Sequence, residues 1–96
     1  MATIDIRAHH QMEHELAQQA ADELAGDLAR KFDIEYGWDE NVIHFERVGV
    51  TGSITVEASE IRIVAHLGLL LLVLKSRIEE EIREYLQSHF GCTFDR

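Results

Sequence analysis

The feature that most limits how this chain can fold is the change of hydrophobic period along its length. Residues 3–8 alternate, with Ile4, Ile6 and Ala8 on one side and Thr3, Asp5 and Arg7 on the other. That two-residue repeat predicts a half-buried strand. From about Gln11 to Phe32 the repeat lengthens: Leu16, Ala20, Leu24, Leu28 and Phe32 recur every four residues beside Ala17, Ala21 and Ala25. This is the stripe of a helix facing a core, and its alanines suit close packing on a sheet. Glu13 and Glu15 at its start and Arg30 and Lys31 at its end complement the helix dipole.

Alternation then returns four times. Ile34, Tyr36 and Trp38 share one face of a strand, and the polar Asp39-Glu40-Asn41 makes a turn. Ile43 and Phe45 oppose Val42, His44 and Glu46, and a corner containing Gly49 and Gly52 follows. Ile54, Val56 and Ala58 point inward in the next strand, and after Ser59 the set Ile61, Ile63, Ala65 and Leu67 lines the last. Connections this short favour an antiparallel meander with one buried face. A second helix is predicted from roughly Leu70 to Phe90, with a stripe of Leu71, Leu74, Ile78, Ile82, Tyr85 or Leu86, and Phe90. Lys75 with Glu79 and Glu79 with Arg83 have the spacing of charge pairs, and Gly91 sits where a left-handed cap belongs. The expected fold is a two-layer α+β domain, β-α-β-β-β-β-α, over residues 1–96: a mainly antiparallel sheet covered on one face by two helices.

Composition excludes several functions. The 96 residues carry nine Lys+Arg against eighteen Asp+Glu, a net charge of −9, with no basic run to meet nucleic acid. An apolar share of 46% fits a folded chain. No stretch reaches the ~20 apolar residues of a membrane span. The opening residues lack a signal-peptide pattern, so a cytoplasmic protein is expected. Cys92 has no partner for an internal disulfide and no base beside it to make it a nucleophile. The six glycines form no phosphate loop, and no cofactor is expected.

Histidines invite a site hypothesis. His10 and His14 have the four-residue spacing of metal ligands, but no His-Glu-x-x-His pattern or further ligand accompanies them, so no metal site is assigned. His44 and His66 fall on the polar side of strands flanking a third, together with Glu46, Thr55, Glu57 and Arg62. Such a face has the residue types for binding or acid–base work. With no nucleophile or third ligand attached, it reads more simply as an open sheet surface with cross-strand polar pairs.

The run from Leu67 to Leu74 is the anomaly. A helix turns about 100° per residue, so six consecutive apolar residues cover its whole circumference. Extending the stripe back from Ile82 and Ile78 assigns Leu74, Leu71 and Leu70 to the core. Leu69, Leu72 and Val73 are left pointing outward with Ser76 and Glu80, as an interaction patch. A homodimer seam is the commonest use of such a patch, and a hydrophobic polymer or lipid surface is the other. The acidic outer face of the helix favours a protein or polymer target over anionic lipid.

Taken together, several segments resemble a known family. They are the opening Ala-Thr-Ile-Asp-Ile-Arg, the Leu-Ala-Arg-Lys-Phe closing the first helix and the Tyr-Gly-Trp strand. His44-Phe45-Glu46-Arg47 with Gly49 and Gly52, and the stretch from Leu67 to Ile82, complete the match. The chain resembles the small bacterial polyhydroxyalkanoic acid system proteins, encoded beside genes for polyester storage granules. None of these segments is a catalytic motif. The resemblance implies no established reaction or catalytic residues, and with the apolar patch it leads us to expect a non-enzymatic accessory acting at the granule surface or its proteins. The alternative is a small carrier of hydrophobic acyl ligands, in which a long C-terminal helix grips a curved sheet around a cavity.

Overall fold

The computed structural model describes residues 2–94 and has the antiparallel α+β architecture that the periodicity predicts. Its strands are β1 (Ala2–His9), β2 (Glu35–Asp39), β3 (Val42–Arg47), β4 (Val50–Val56), β5 (Glu60–Leu67) and β6 (Thr93–Phe94). Its α-helices are α1 (His14–Phe32) and α2 (Lys75–Phe90), with a 3₁₀ helix over Leu69–Leu74 between β5 and α2. The sheet order is β2-β3-β4-β5-β1-β6, and every neighbouring pair is antiparallel. Strands β2 to β5 are a meander, while β1 lies beyond β5. Helix α1 therefore carries the chain across the sheet from β1 to the far edge at β2.

The register explains the core. Ile6 pairs with Ile63, Ile63 with Ile54, and Ile54 with Ile43, so one row of isoleucines runs across four strands. All four are buried, under Leu24 and Leu28 of α1 and Ile78, Ile82 and Leu86 of α2. Gly52 stands on this inner face because nothing larger fits. A Cβ there would lie 2.5 Å from the Val64 carbonyl oxygen and 3.0 Å from Ala65 Cα.

Several expectations are corrected at the ends of elements. Helix α1 starts at His14 rather than Gln11, and Leu16 is exposed while Ala17, Ala20, Ala21, Leu24, Ala25 and Leu28 are buried. A four-residue repeat drifts by about 40° per step against the helical turn, so a series centred on Leu24 leaves the core at its start. Strand β4 ends at Val56, and Ala58 is exposed in a turn closed by Glu57 N–H donating to Glu60 O at 2.8 Å. Neither Lys75–Glu79 nor Glu79–Arg83 closes to an ion pair among the described residues. Pairs that do form include Arg7–Glu60, Arg30 and Lys31 with Asp27, Lys31–Glu81 and Arg62–Asp5.

The C-terminal end follows the predicted cap. Gly91 has φ 66°, its N–H donates to Gln87 O, and Cys92 N–H donates to Leu86 O, a Schellman arrangement. The chain then reverses and Thr93–Phe94 pairs with β1 at His9 and Ala8. Two residues are too few to show a period, so β6 leaves no trace in the sequence pattern.

Candidate functional site

The leucine run is where the structure departs most from a continuous helix. Residues 69–74 wind as a 3₁₀ helix, three residues per turn, so positions i and i+3 eclipse each other. Three edges result. Leu71 and Leu74 form the one that packs against the core. Leu70 and Val73 form the opposite edge and are 92% and 84% exposed; Leu69 and Leu72 form the third and are 75% and 38% exposed. The outward placement of Leu69, Leu72 and Val73 agrees with the pattern read from sequence. Leu70 does not: assigned to the core by an α-helical phase, it is the most exposed of the six because the winding is 3₁₀.

Sequence reasoning also missed Val48, which is 94% exposed at the tip of the β3–β4 hairpin. It adjoins the leucines because the hairpin and the 3₁₀ helix are fastened together. Gly68 N–H donates to Gly49 O at 2.8 Å, and the position of a Cβ on Gly49 lies 3.2 Å from Leu71 Cδ1. Gly49 has φ +87°, a conformation that favours glycine at this contact. The signal for Val48 was available as an apolar residue one position before a turn glycine. The five outward side chains expose on the order of 600 Å² of apolar surface, the upper end of what a soluble monomer leaves in water.

The polar sheet face is assembled differently from a catalytic site. His44 lies opposite Ser53, whereas His66 lies opposite Thr51 and Thr3, two strands away and one row along. Strand spacing and rise put the two histidines ~12 Å apart. His66 Nδ1 is 3.2 Å from Thr3 Oγ1. Arg62 is held by Asp5 through Nε–Oδ1 at 3.2 Å and Nη2–Oδ2 at 3.0 Å. The Arg62 guanidinium hydrogen bonds hold the Asp5 carboxyl below its usual range. Thr55 and Arg62 share a row with Arg7, while Glu57 lies in the turn beyond β4. These residues are spread over separate rows of cross-strand pairs, with His44 and His66 in different rows.

The other histidine pair also serves structure. His14 is the first residue of α1 and His10 precedes it, so the two do not share a helical face. His10 is buried; its Nδ1 accepts from Met12 N–H at 3.1 Å, which leaves Nε2–H to donate to Glu57 O at 3.1 Å. Among the described residues no group of three His, Cys, Asp or Glu side chains converges for a metal. Cys92 is buried, and burial pushes its thiol above the usual range.

One buried polar cluster joins the two helices. Asp27 of α1 is buried, with Oδ1 3.6 Å from Lys31 Nζ, while Lys31 Nζ donates to Glu81 Oε2 of α2 at 2.6 Å. Asp27 Oδ2 is sealed from water and accepts no hydrogen bond. Desolvation and then the hydrogen bond with Glu81 raise the Asp27 carboxyl above its ordinary value. Lys31 thus stands between the Asp27 and Glu81 carboxyls and joins α1 to α2 as a helix–helix clasp.

Between the layers there is little room for a ligand. The space lined by Leu28, Phe45, Ile63, Ile78 and Ile82 holds about 20 Å³, far below the ~300 Å³ of a small-ligand pocket. A wider depression of about 550 Å³ lies at the opposite end of the chain fold, beside His9, Met12, Ser59 and Phe90. No helix among the described residues is long and apolar enough to cross a membrane.

No curated protein and no solved structure matches this chain. The family model described as "Putative polyhydroxyalkanoic acid system protein" matches residues 4–90, and the chain belongs to that family.

Proposed function

We propose that this protein is a non-enzymatic accessory of the polyhydroxyalkanoate granule system, docking through the apolar patch of Val48, Leu69, Leu70, Leu72 and Val73. The observation that carries this reading is the patch itself. Four apolar side chains of one segment point to solvent while Leu71 and Leu74 anchor the segment to the core. A short 3₁₀ helix pinned at Gly49 presents them without needing the core to open. Membership of the family supplies the setting, the polyhydroxyalkanoic acid system.

The competing readings gain less. An acyl carrier needs a cavity of ~300 Å³ or more, against about 20 Å³ between helices and sheet. An enzyme built on His44 and His66 needs both on one substrate, and the whole of strand β4 lies between them. Docking is tested by mixing the purified chain with isolated polyester granules and sedimenting them. The chain is expected in the pellet, and Leu70→Glu with Val73→Glu is expected to leave it in the supernatant. Wild-type protein remaining in the supernatant would overturn the proposal.

A further inference from the structure

We infer that the free edge of β2 is a docking site for an extended basic peptide of a partner protein, added to the sheet as a further strand. This edge lies apart from the apolar patch and does not depend on it. Strand β2 is the outermost strand at its end of the sheet, and all five of its residues, Glu35 to Asp39, are exposed. Its hairpin with β3 turns on Glu40 and Asn41 alone, so the closing pair Asp39–Val42 exchanges both of its hydrogen bonds. Alternation from that pair directs the backbone groups of Gly37 and Glu35 to β3 and those of Tyr36 and Trp38 outward. The outward N–H and C=O groups make no hydrogen bond among the described residues. No proline, lysine or bulge blunts the edge, and these are devices that keep other chains from pairing with it.

The side chains on the two faces of this edge select the occupant. On the outer face stand Glu35 and Asp39, and the register sets Glu35 directly opposite Glu46 of β3. Like charges so placed repel, and neither glutamate has an ion-pair partner among the described residues. On the inner face Tyr36 and Trp38 are 38% and 39% exposed, and Trp38 Nε1–H donates to Asp22 Oδ1 of α1 at 2.9 Å. Open depressions of about 400 and 250 Å³ lie beside these two rings, lined also by Asp22, Glu23 and Glu40. Arg30, which lines the smaller one, is paired with Asp27. A strand laid along the edge therefore meets carboxylates on both faces and aromatic rings on one. A segment of the pattern basic–apolar–any–apolar–basic complements both. Its Lys or Arg residues stand beside Glu35 and Asp39, offsetting the repulsion at Glu46, and its apolar residues pack beside Tyr36 and Trp38. A second copy does not fit. Pairing β2 with β2 about Gly37, the register that uses all the outward groups, sets Glu35 of each chain against Asp39 of the other.

The test titrates the full chain with the blocked peptide acetyl-Ser-Lys-Ile-Thr-Ile-Lys-Ser-amide and with its charge-reversed form, in which both lysines are glutamates. Trp38 is the chain's one tryptophan, so its fluorescence reports on this edge, and hydrogen exchange at the Tyr36 and Trp38 amides reports on backbone pairing. The expected result is saturable binding of the basic peptide, at least tenfold tighter than that of the reversed one, with exchange slowed at both amides. Glu35→Gln with Asp39→Asn should weaken the basic peptide by about tenfold. The urea midpoint of that variant should stay level or rise, because the repulsion between Glu35 and Glu46 is gone. Leu70→Glu with Val73→Glu should leave the affinity unchanged, which separates this edge from granule docking. Absence of binding, equal binding of both peptides, or binding that leaves the two amides unprotected would each overturn the inference. So would protection of those amides that grows with concentration in the free chain, since β2 would then pair with a second copy.

Discussion

Leu71 rests on Gly49, its Cδ1 placed 3.2 Å from where a Cβ on Gly49 would stand. This contact joins the β3–β4 hairpin to the 3₁₀ helix and sets the phase in which the remaining leucines face outward. Gly49→Ala adds both a crowded methyl group and a side chain at φ +87°. The expected cost is ~1–2 kcal/mol in urea unfolding, with faster hydrogen exchange at the Gly68 and Leu71 amides. Unchanged exchange at both amides would show that the glycine contact does not hold the segment.

The 3₁₀ phase makes a second prediction that an α-helical one reverses. Leu70 is 92% exposed, so Leu70→Ala should change stability by less than ~0.5 kcal/mol. Leu71 is packed against the core, so Leu71→Ala should cost ~1–2 kcal/mol. Equal costs at the two positions would mean that the segment winds as part of α2.

These neighbouring leucines also mark how far the sequence can be read. Strand faces were legible because a period of two is insensitive to small errors: Ile43, Phe45, Ile54, Ile61 and Ile63 are buried where alternation puts them. Gly91 was legible because a left-handed cap has few substitutes. Within an all-apolar run, however, no polar residue reports the phase, so α and 3₁₀ winding predict different exposed residues from the same letters. Three of the patch residues, Leu69, Leu72 and Val73, emerge in either case; Leu70 depends on the winding. Val48 depends on a tertiary contact between Gly49 and Leu71, 22 positions apart in sequence, which no local pattern encodes. The separation of His44 from His66 likewise follows from register, which two histidines on polar faces do not reveal.

Cys92 lies behind the α2 cap, buried against the core, with its thiol raised by desolvation. A raised thiol is less ionised at neutral pH and a buried one is inaccessible, and both slow its reaction. Modification by a disulfide reagent should be at least ~100-fold slower in the folded protein than in urea. Reaction at the rate of a free thiol would show that the β6 segment opens readily.

Asp27 and Glu81 predict a pH dependence with a definite sign. The Asp27 carboxyl is raised above 3.8, chiefly by desolvation and then by its hydrogen bond with Glu81, whereas Glu81 is lowered below 4.5 by its bonds to Asp27 and Lys31. An acid raised on folding destabilises the native state as pH climbs from its unfolded value through its folded one; a lowered acid stabilises it over its own, more acidic window. Arg30 and Lys31 on α1 offset part of the Asp27 charge, and Arg77 on α2 faces Glu81. Asp27→Asn keeps an N–H donor for Glu81 and removes the charge that has to be buried. The variant should therefore gain ~1 kcal/mol over the native chain at pH 8. That gain should vanish near pH 3, below the ordinary Asp value of 3.8, where Asp27 is protonated in the folded and the unfolded chain alike. Urea midpoints across this range measure the difference. A variant less stable than the native chain at pH 8 would mean that Asp27 is held as a charged partner of Lys31, and not as a carboxyl whose charge is costly to bury.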